Sequence, residues 1–414
     1  MMHMKNNMTF TQMTYKKKDN RPPFENLDAT NLQTLYSLPT PCYILDETQL
    51  QKNGKLLKQL QETTGCKILL AQKAFSNYNL YPSIAPYLAG TEASGLFEAR
   101  LGKEQMPDKE CHVFSAAYKK EEFEEVLQYA DHIVFNSPSQ LKKFGKKAKE
   151  AYKSIGLRIN PEYSTQEGHD IYDPCAPGSR LGTTKKQWDI LMTSELLSLL
   201  DGLHFHTLCE QNSDSLVKTL QVVEAKWGNI LHRMKWINLG GGHHITNPTY
   251  DCELLKDTLI RLSNTYDIQV YLEPGEAVAL NSGYLITSIL DLLENEPFHI
   301  AITDSSAACH MPDVLEMPYR PPLFHEGSQK DAIISYRLSG PTCLSGDIIG
   351  DYHFPTYLSE NDHLIFGDMA IYTTCKNNTF NGMPLPSIYV LKTDGTISLL
   401  ASFSYEDFKK RLGT

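Results

Sequence analysis

The segment Tyr271-Leu-Glu-Pro-Gly-Glu-Ala-Val278 sets two carboxylates, Glu273 and Glu276, on either side of a Pro-Gly turn. The β-branched and aromatic run IQVYL leads into it, so both acids stand at the mouth of a strand, where binding and catalytic groups concentrate. Lys73 holds a comparable place at the end of the apolar run in ILLAQKAFS. Lysine is depleted from buried strands, and a desolvated amine becomes a nucleophile that condenses with an aldehyde. A lysine reaching out of a strand end toward water would leave the same trace in the sequence.

Two further motifs narrow the chemistry. INLGGGHHI places Gly240, Gly241 and Gly242 directly after a strand, where backbone N–H groups can form a nest for phosphate, although glycine-rich strand ends are often only turns. LHFHTL adds His206. Together these are the residue types that a pyridoxal 5'-phosphate site requires. A lysine holds the aldehyde, glycine amides hold the phosphate, an aromatic face packs on the ring, and Glu273 keeps the pyridine nitrogen protonated. The competing chemistry is metal binding by His204-x-His206 and His243-His244, but Glu273 followed by Pro-Gly is no ligand spacing, and no metal is expected.

These residues need a scaffold. From residue 66 onward, short apolar runs ending in polar or glycine-rich tips alternate with amphipathic stretches such as Glu121–Tyr129 and Ser213–Trp227. Eight such runs occur: CKILLAQKAF, ASGLFEA around Leu96, CHVFSAAY, HIVFNSPS, IGLRINPE, GLHFHTL, WINLGGG and IQVYLEP. Eight βα units predict an α/β fold, a (β/α)8 TIM-like barrel over residues 48–280, whose site lies at the C-terminal ends of the strands. Lys73, Ser94, Asn136, Arg158, His206, Gly240–Gly242 and Glu273 then share one rim. Beyond it, GYLITSIL, FHIAIT, AIISYRLSG, HLIFGD and SIYVLKTDG predict a mainly antiparallel C-terminal β domain over 281–414, with a further strand from about 39–47. Residues 1–30 read as a polar, disordered extension.

Composition restricts the partners. Asp plus Glu number 49 against 39 Lys plus Arg, a net charge of −10, so the basic face that nucleic acid needs is missing and a cationic small substrate is better suited. Nine cysteines without a C-x-x-C pair point to a reducing cytoplasm rather than a disulfide framework. Neither a signal peptide nor an apolar run of membrane-spanning length, roughly 18 residues, is expected.

The order Lys73, FHT at 205–207, LGGG at 239–242, EPGE at 273–276 and GPTCLSGD at 340–347 resembles the barrel-type pyridoxal phosphate decarboxylases. These are the alanine racemase-like, fold type III group of ornithine, diaminopimelate and carboxynorspermidine decarboxylases, and the resemblance spans about residues 40–400. HDIYDPCAPGSRLG (169–182), HTLCEQ (206–211), CHMPDVLEMPYRP (309–321) and GPTCLSGD look most like the carboxynorspermidine (carboxyspermidine) decarboxylases. The resemblance implies a homodimer with shared sites, in which Cys343 enters the partner's site and delivers a proton after carbon dioxide leaves. It also implies that Tyr372 in AIYTT reaches the phosphate. A plain buried cysteine is the other reading of Cys343.

One departure bears on the substrate. The ornithine and diaminopimelate enzymes typically read EPGR where this chain reads EPGE. Arginine serves an anionic group, whereas Glu276 repels a second carboxylate and attracts an amine, worth ~1–4 kcal/mol at intermediate dielectric. Asp313 is a second candidate for the amine, against an Asx turn after Pro312. Arg158 and Arg180 read as structural ion-pair partners as readily as site residues.

The expected function is decarboxylation of carboxynorspermidine or carboxyspermidine to norspermidine or spermidine. A diaminopimelate- or ornithine-type decarboxylase is the same chemistry with the wrong residue at 276. An alanine-racemase-like enzyme calls for a tyrosine base where Cys343 stands. A non-enzymatic pyridoxal phosphate-binding protein would be a single barrel without the β-rich region after residue 280.

Overall fold

The computed structural model describes residues 22–166, 173–328, 330 and 332–413. They form two compact units, one of Gln51–Val278 and the other joining the segment up to Leu50 with Ala279 onward. In chain order, β1 (Cys42–Asp46) belongs to the second unit. Eight strands build the first: β2 (Lys67–Ala71), β3 (Gly90–Ala93), β4 (Glu110–Phe114), β5 (His132–Phe135), β6 (Ser154–Arg158), β7 (Gly202–His204), β8 (Trp236–Asn238) and β9 (Gln269–Leu272). All pair in parallel and close β9 onto β2, the expected barrel.

The helices that wrap it follow the sequence pattern. Ser213–Leu231 starts at Asn212, whose side chain caps the Ser213 amide, and buries Leu216, Leu220, Val223, Trp227 and Leu231 at helical spacing. Each large side chain buried this way contributes ~1.5–3 kcal/mol. Inside the barrel, Leu69, Val134, Trp236 and Tyr271 form an apolar layer. The Trp236 indole fills the space that Gly156 and Gly202 leave open, since a Cβ at either would run into the ring, and its Nε1 donates to Ser154 Oγ at 2.8 Å.

One expected strand is displaced. Leu96 of ASGLFEA begins the helix Leu96–Gln105, and the strand is the preceding GTEA. Gly90 approaches the Glu110 backbone too closely for any Cβ, and the strand GTEA lacks the apolar signature that marked its neighbours. Thr91 faces that helix, where a Cβ on Gly102 would lie 2.5 Å from its Oγ1. By strand alternation Glu92 faces the barrel interior.

The second unit is a mixed, mainly antiparallel sheet in the order β13-β12-β11-β10-β1-β15-β16, with β14 also pairing β10. The ranges are β10 (Gly283–Asn295), β11 (Phe298–Thr303), β12 (Ile334–Ser339), β13 (Ile348–Phe354), β14 (His363–Gly367), β15 (Ser387–Leu391) and β16 (Ile397–Ala401). β1 runs antiparallel to β10 and parallel to β15, and β11 and β12 are parallel. β13 and β16 are absent from the sequence-based strands. Gly350 and Asp351 interrupt the apolar pattern of β13, and β16 is only partly buried.

Part of the stretch read as a disordered extension, residues 1–30, is ordered. Phe24 and Leu27 are fully buried with Leu32 and Leu35 against Ile44, Tyr284 and Ile286, and Ala29–Leu35 is a helix with a capping box at Asp28. Two apolar residues in a polar stretch were too sparse a signal for that packing. Residues 1–21 lie outside the described residues.

Candidate functional site

β9 ends at Leu272, and Glu273 follows it into a turn held by its own amide, which donates to Gly240 O at 2.8 Å. Its carboxylate is only 5 % exposed. Asn238 Nδ2 donates to Oε1 at 2.6 Å, and His204 Nε2 lies 3.1 Å from Oε2. Burial by itself pushes the Glu273 carboxyl up, but His204, His112 and Lys73 together outweigh it and hold the group well below the usual carboxylate range. Glu273 is therefore an ionised carboxylate in a dry place, able to accept one more hydrogen bond from a cation. Phe114 stacks on His204 at 5.5 Å between ring centroids, and the buried Arg158 guanidinium lies 4.5 Å from the Phe114 centroid.

The ends of β7 and β8 carry His206 and the three glycines. Gly240 and Gly242 have φ of 72° and 80°, the left-handed region that favours glycine. A Cβ at Gly240 would lie 2.5 Å from Phe205 O, and one at Gly242 would strike the Leu208 backbone. Two of the three amides are already engaged: Gly240 N donates to Asn238 Oδ1 at 2.9 Å, and Gly241 N to His206 Nδ1 at 3.0 Å. The glycines thus serve close backbone approach first, and the phosphate nest expected of all three narrows. His206 is neutral, because burial, followed by the Lys73 and Arg158 cations, pushes it well below the usual imidazole range.

Lys73 lies two residues past β2, the strand between β3, which carries Glu92, and β9, which Glu273 follows. Glu92 on β3 is 3 % exposed, and its Oε2 has no hydrogen-bond partner. Burial, then the charge of Glu273, raises its carboxyl to about 8. Sequence reasoning missed Glu92, although an acid in the middle of GTEA was itself a signal. It also missed Asn238 as the partner that orients Glu273. Ser94 and Asn136 sit at the same rim in local roles: Ser94 N donates to Glu98 Oε2 at 2.6 Å, and Asn136 holds Arg180 O and Gly182 N. Arg158 donates to His206 O at 3.2 Å. Residues 169–172 of the HDIYDPCAPGSRLG stretch lie outside the described residues.

The metal alternative requires its histidines to converge. Instead His204 turns onto Glu273, and His206 accepts from Gly241. Among the described residues the three-residue group with close ligand atoms is Glu110, His112 and His132, near the N-terminal ends of β4 and β5. There the two imidazoles stack at 3.9 Å and 14°, so their in-plane lone pairs run side by side rather than toward one point, and Lys67 pairs with Glu110.

Glu276 follows Glu273 by one turn and opens the short helix Glu276–Ala279. Asp313, Cys343 and Tyr372 belong to the other unit. Asp313 begins the helix Asp313–Glu316, and Lys376 pairs with both Asp313 and Glu316, so the expected amine reader already holds a cation of its own chain. Cys343 is exposed on the loop between β12 and β13. Thr342 and Ser306 brace that loop by donating to Asp347 Oδ2 at 2.6 and 2.8 Å. Tyr372 has φ 57°, rare for an aromatic residue and held only where surroundings demand it.

A family model described as pyridoxal-dependent decarboxylase, C-terminal sheet domain, matches residues 42–370. A carboxynorspermidine/carboxyspermidine decarboxylase of Campylobacter jejuni is 41% identical over 385 residues, covering 90% of this chain and 98% of that protein. A carboxyaminopropylagmatine decarboxylase of Synechocystis is 39% identical, covering 92% of this chain and 97% of its own. The crystal structure of carboxynorspermidine decarboxylase complexed with norspermidine from Campylobacter jejuni superposes with a TM-score of 0.82 at 40% identity, covering 90% of this chain and all of that one.

Proposed function

Because the chain belongs to the pyridoxal-dependent decarboxylases, we propose that it acts on carboxynorspermidine or carboxyspermidine and forms norspermidine or spermidine in polyamine biosynthesis. It is a decarboxylase, and pyridoxal 5'-phosphate is its cofactor. The observation that carries the substrate reading is the near-full-length match to the Campylobacter jejuni enzyme. The Synechocystis relative favours a second reading, a carboxylated polyamine ending in a guanidinium instead of an amine. Both substrates are cationic at the end remote from the carboxylate, and both suit Glu276.

The residues fit the cofactor. A buried, ionised Glu273 is the acceptor that a pyridine N–H requires, and the glycine turns form a cradle that a Cβ would fill. Bound there, the cofactor supplies an electron sink for the pair released with carbon dioxide. Lys73 would hold it through its aldehyde carbon until the substrate amine takes that place. His206 would pack on the ring as a neutral imidazole, adding no charge. Gly240, Gly241 and Gly242 would bring the backbone within reach of the phosphate, with Tyr372 as a further donor. Glu276, with Asp313 as the weaker candidate, would read the substrate's distal cation.

We place the enzyme in the cytoplasm, since all nine cysteines are free thiols, and as a homodimer in which Cys343 of one protomer donates the proton that replaces carbon dioxide. Complementation tests the dimer. Mixing inactive Lys73→Ala with inactive Cys343→Ala should restore activity through one intact site per mixed dimer, and no recovery after proven subunit exchange removes the shared site. The substrate is tested by carbon dioxide release from carboxynorspermidine, carboxyspermidine, carboxyaminopropylagmatine and diaminopimelate. Turnover of diaminopimelate alone would overturn the reading.

A further inference from the structure

The barrel interior beneath Lys73 holds a second carboxyl that the proposed reaction does not use. β2 lies between β3 and β9, so the lysine that extends from β2 is flanked by Glu92 on one side and Glu273 on the other. The two acids are built differently. Glu273 receives Asn238 and stands against His204. Glu92 is equally enclosed, yet its Oε2 meets no donor. An ionised carboxylate with one oxygen left without a donor in such a place is costly, which favours the protonated acid.

We propose that Glu92 is a positioning residue for Lys73, a neutral acid that leaves the amine facing one carboxylate where the strand geometry provides two. The charged groups around it are Lys73, Glu273, Arg158 and Glu98, with His112 as its register neighbour on β4. Lys73 and Arg158 favour the anion, whereas Glu273, Glu98 and burial oppose it. An anionic Glu92 would set a second negative charge against the Lys73 amine and beside an anionic cofactor. Two carboxyls pushed apart in this way divide the labour, the ionised one facing the ring nitrogen and the neutral one guarding the amine.

The inference rests on the assignment of Lys73 as the cofactor lysine, so the test separates the two. Borohydride reduction of the holoenzyme followed by peptide mapping locates the modified lysine; a site other than Lys73 overturns both. With Lys73 confirmed, apoprotein is titrated with pyridoxal phosphate from pH 7 to 9.5 and binding is read by visible absorption. Glu92 carries its proton up to about pH 8. The wild-type dissociation constant should therefore rise about tenfold more across this range than that of Glu92→Gln, which cannot ionise. Superimposable profiles overturn the role of Glu92 and leave that of Lys73 intact. A second readout needs no cofactor and, if Glu92→Gln does not fold, uses Glu92→Asp for the comparison. The infrared band of one protonated carboxyl in the apoprotein should vanish as pH rises through about 8 and change in the variant's difference spectrum. The variant comparison sets aside Glu98 and Asp46, which burial also raises. Absence of that band at pH 7 overturns the proposal.

Discussion

His204 Nε2 stands 3.1 Å from Glu273 Oε2, joining the end of β7 to the end of β9 over the intervening β8, and both side chains are almost wholly buried. Asn238, on the strand between them, completes the clamp on the other oxygen at 2.6 Å and with its own oxygen holds the Gly240 amide. One carboxylate, two neighbouring strands and the glycine turn are thus a single hydrogen-bonded unit.

Removing either partner should therefore act through Glu273. Loss of a hydrogen bond to a buried charge costs ~1.5–3 kcal/mol. His204→Ala and Asn238→Ala should each weaken pyridoxal phosphate binding about ten- to hundredfold in an equilibrium titration of the apoprotein. Asn238→Ala should also loosen the glycine turn, seen as faster hydrogen exchange at the Gly240 amide. Unchanged affinity in both variants would remove the clamp from cofactor binding.

The stability of the barrel depends on a void kept for an indole. A Cβ on Gly202 would overlap Trp236, which fills the interior beside Gly156. Overpacking a rigid core costs ~1–3 kcal/mol, so Gly202→Ala should lower the thermal unfolding midpoint by several degrees. Shrinking Trp236 to Phe in the same chain should return part of that loss, which a thermal melt of the double variant measures.

Acid should destabilise the fold through histidines held neutral. Burial pushes both His243 and His310 down to about 4, against about 6.5 in an unfolded chain. Above pH 6.5 neither state binds the proton and nothing is lost. Between 6.5 and 4 the unfolded chain takes up protons that the folded chain refuses, so stability falls with pH by up to about 1.4 kcal/mol per unit for each group. Urea unfolding between pH 7.5 and 5 should show this slope, and His310→Gln should flatten it. An unchanged slope would assign the acid sensitivity elsewhere.

How much of this the sequence revealed depends on whether a signal was local. Lys73 and Glu273 stood out because charged residues at the ends of apolar runs are unusual, and five of the eight barrel runs contain their whole strand while two more miss only its first residue. β3 was displaced because close approach to the Glu110 backbone requires glycine at 90 and the rest of GTEA carries no large apolar residue, so no apolar run marked the strand or drew attention to Glu92. The pairing of His204 with Glu273 joins residues 69 positions apart, and nothing in either local context announces the other. Asp313 misled for the same reason, since its partner Lys376 lies 63 positions along the chain.

The two acids of the EPGE turn should separate kinetically. Glu273 is buried and fixed from both sides, and Glu276 begins the next helix one turn on, only partly buried. If the first serves the cofactor and the second the substrate's cation, Glu273→Ala should lower kcat and shift the cofactor's absorption, whereas Glu276→Gln should raise KM for the polyamine and leave the spectrum alone. The second change removes binding shared by ground and transition states, so kcat should hold while kcat/KM falls. One charge-assisted contact is worth ~1.5–3 kcal/mol, about ten- to hundredfold in kcat/KM. Glu276→Arg should go further by repelling the polyamine. Steady-state kinetics with carboxynorspermidine and carboxyspermidine decide the matter. If Glu276→Gln leaves kcat/KM untouched, or strips the cofactor instead, the distal cation is read elsewhere.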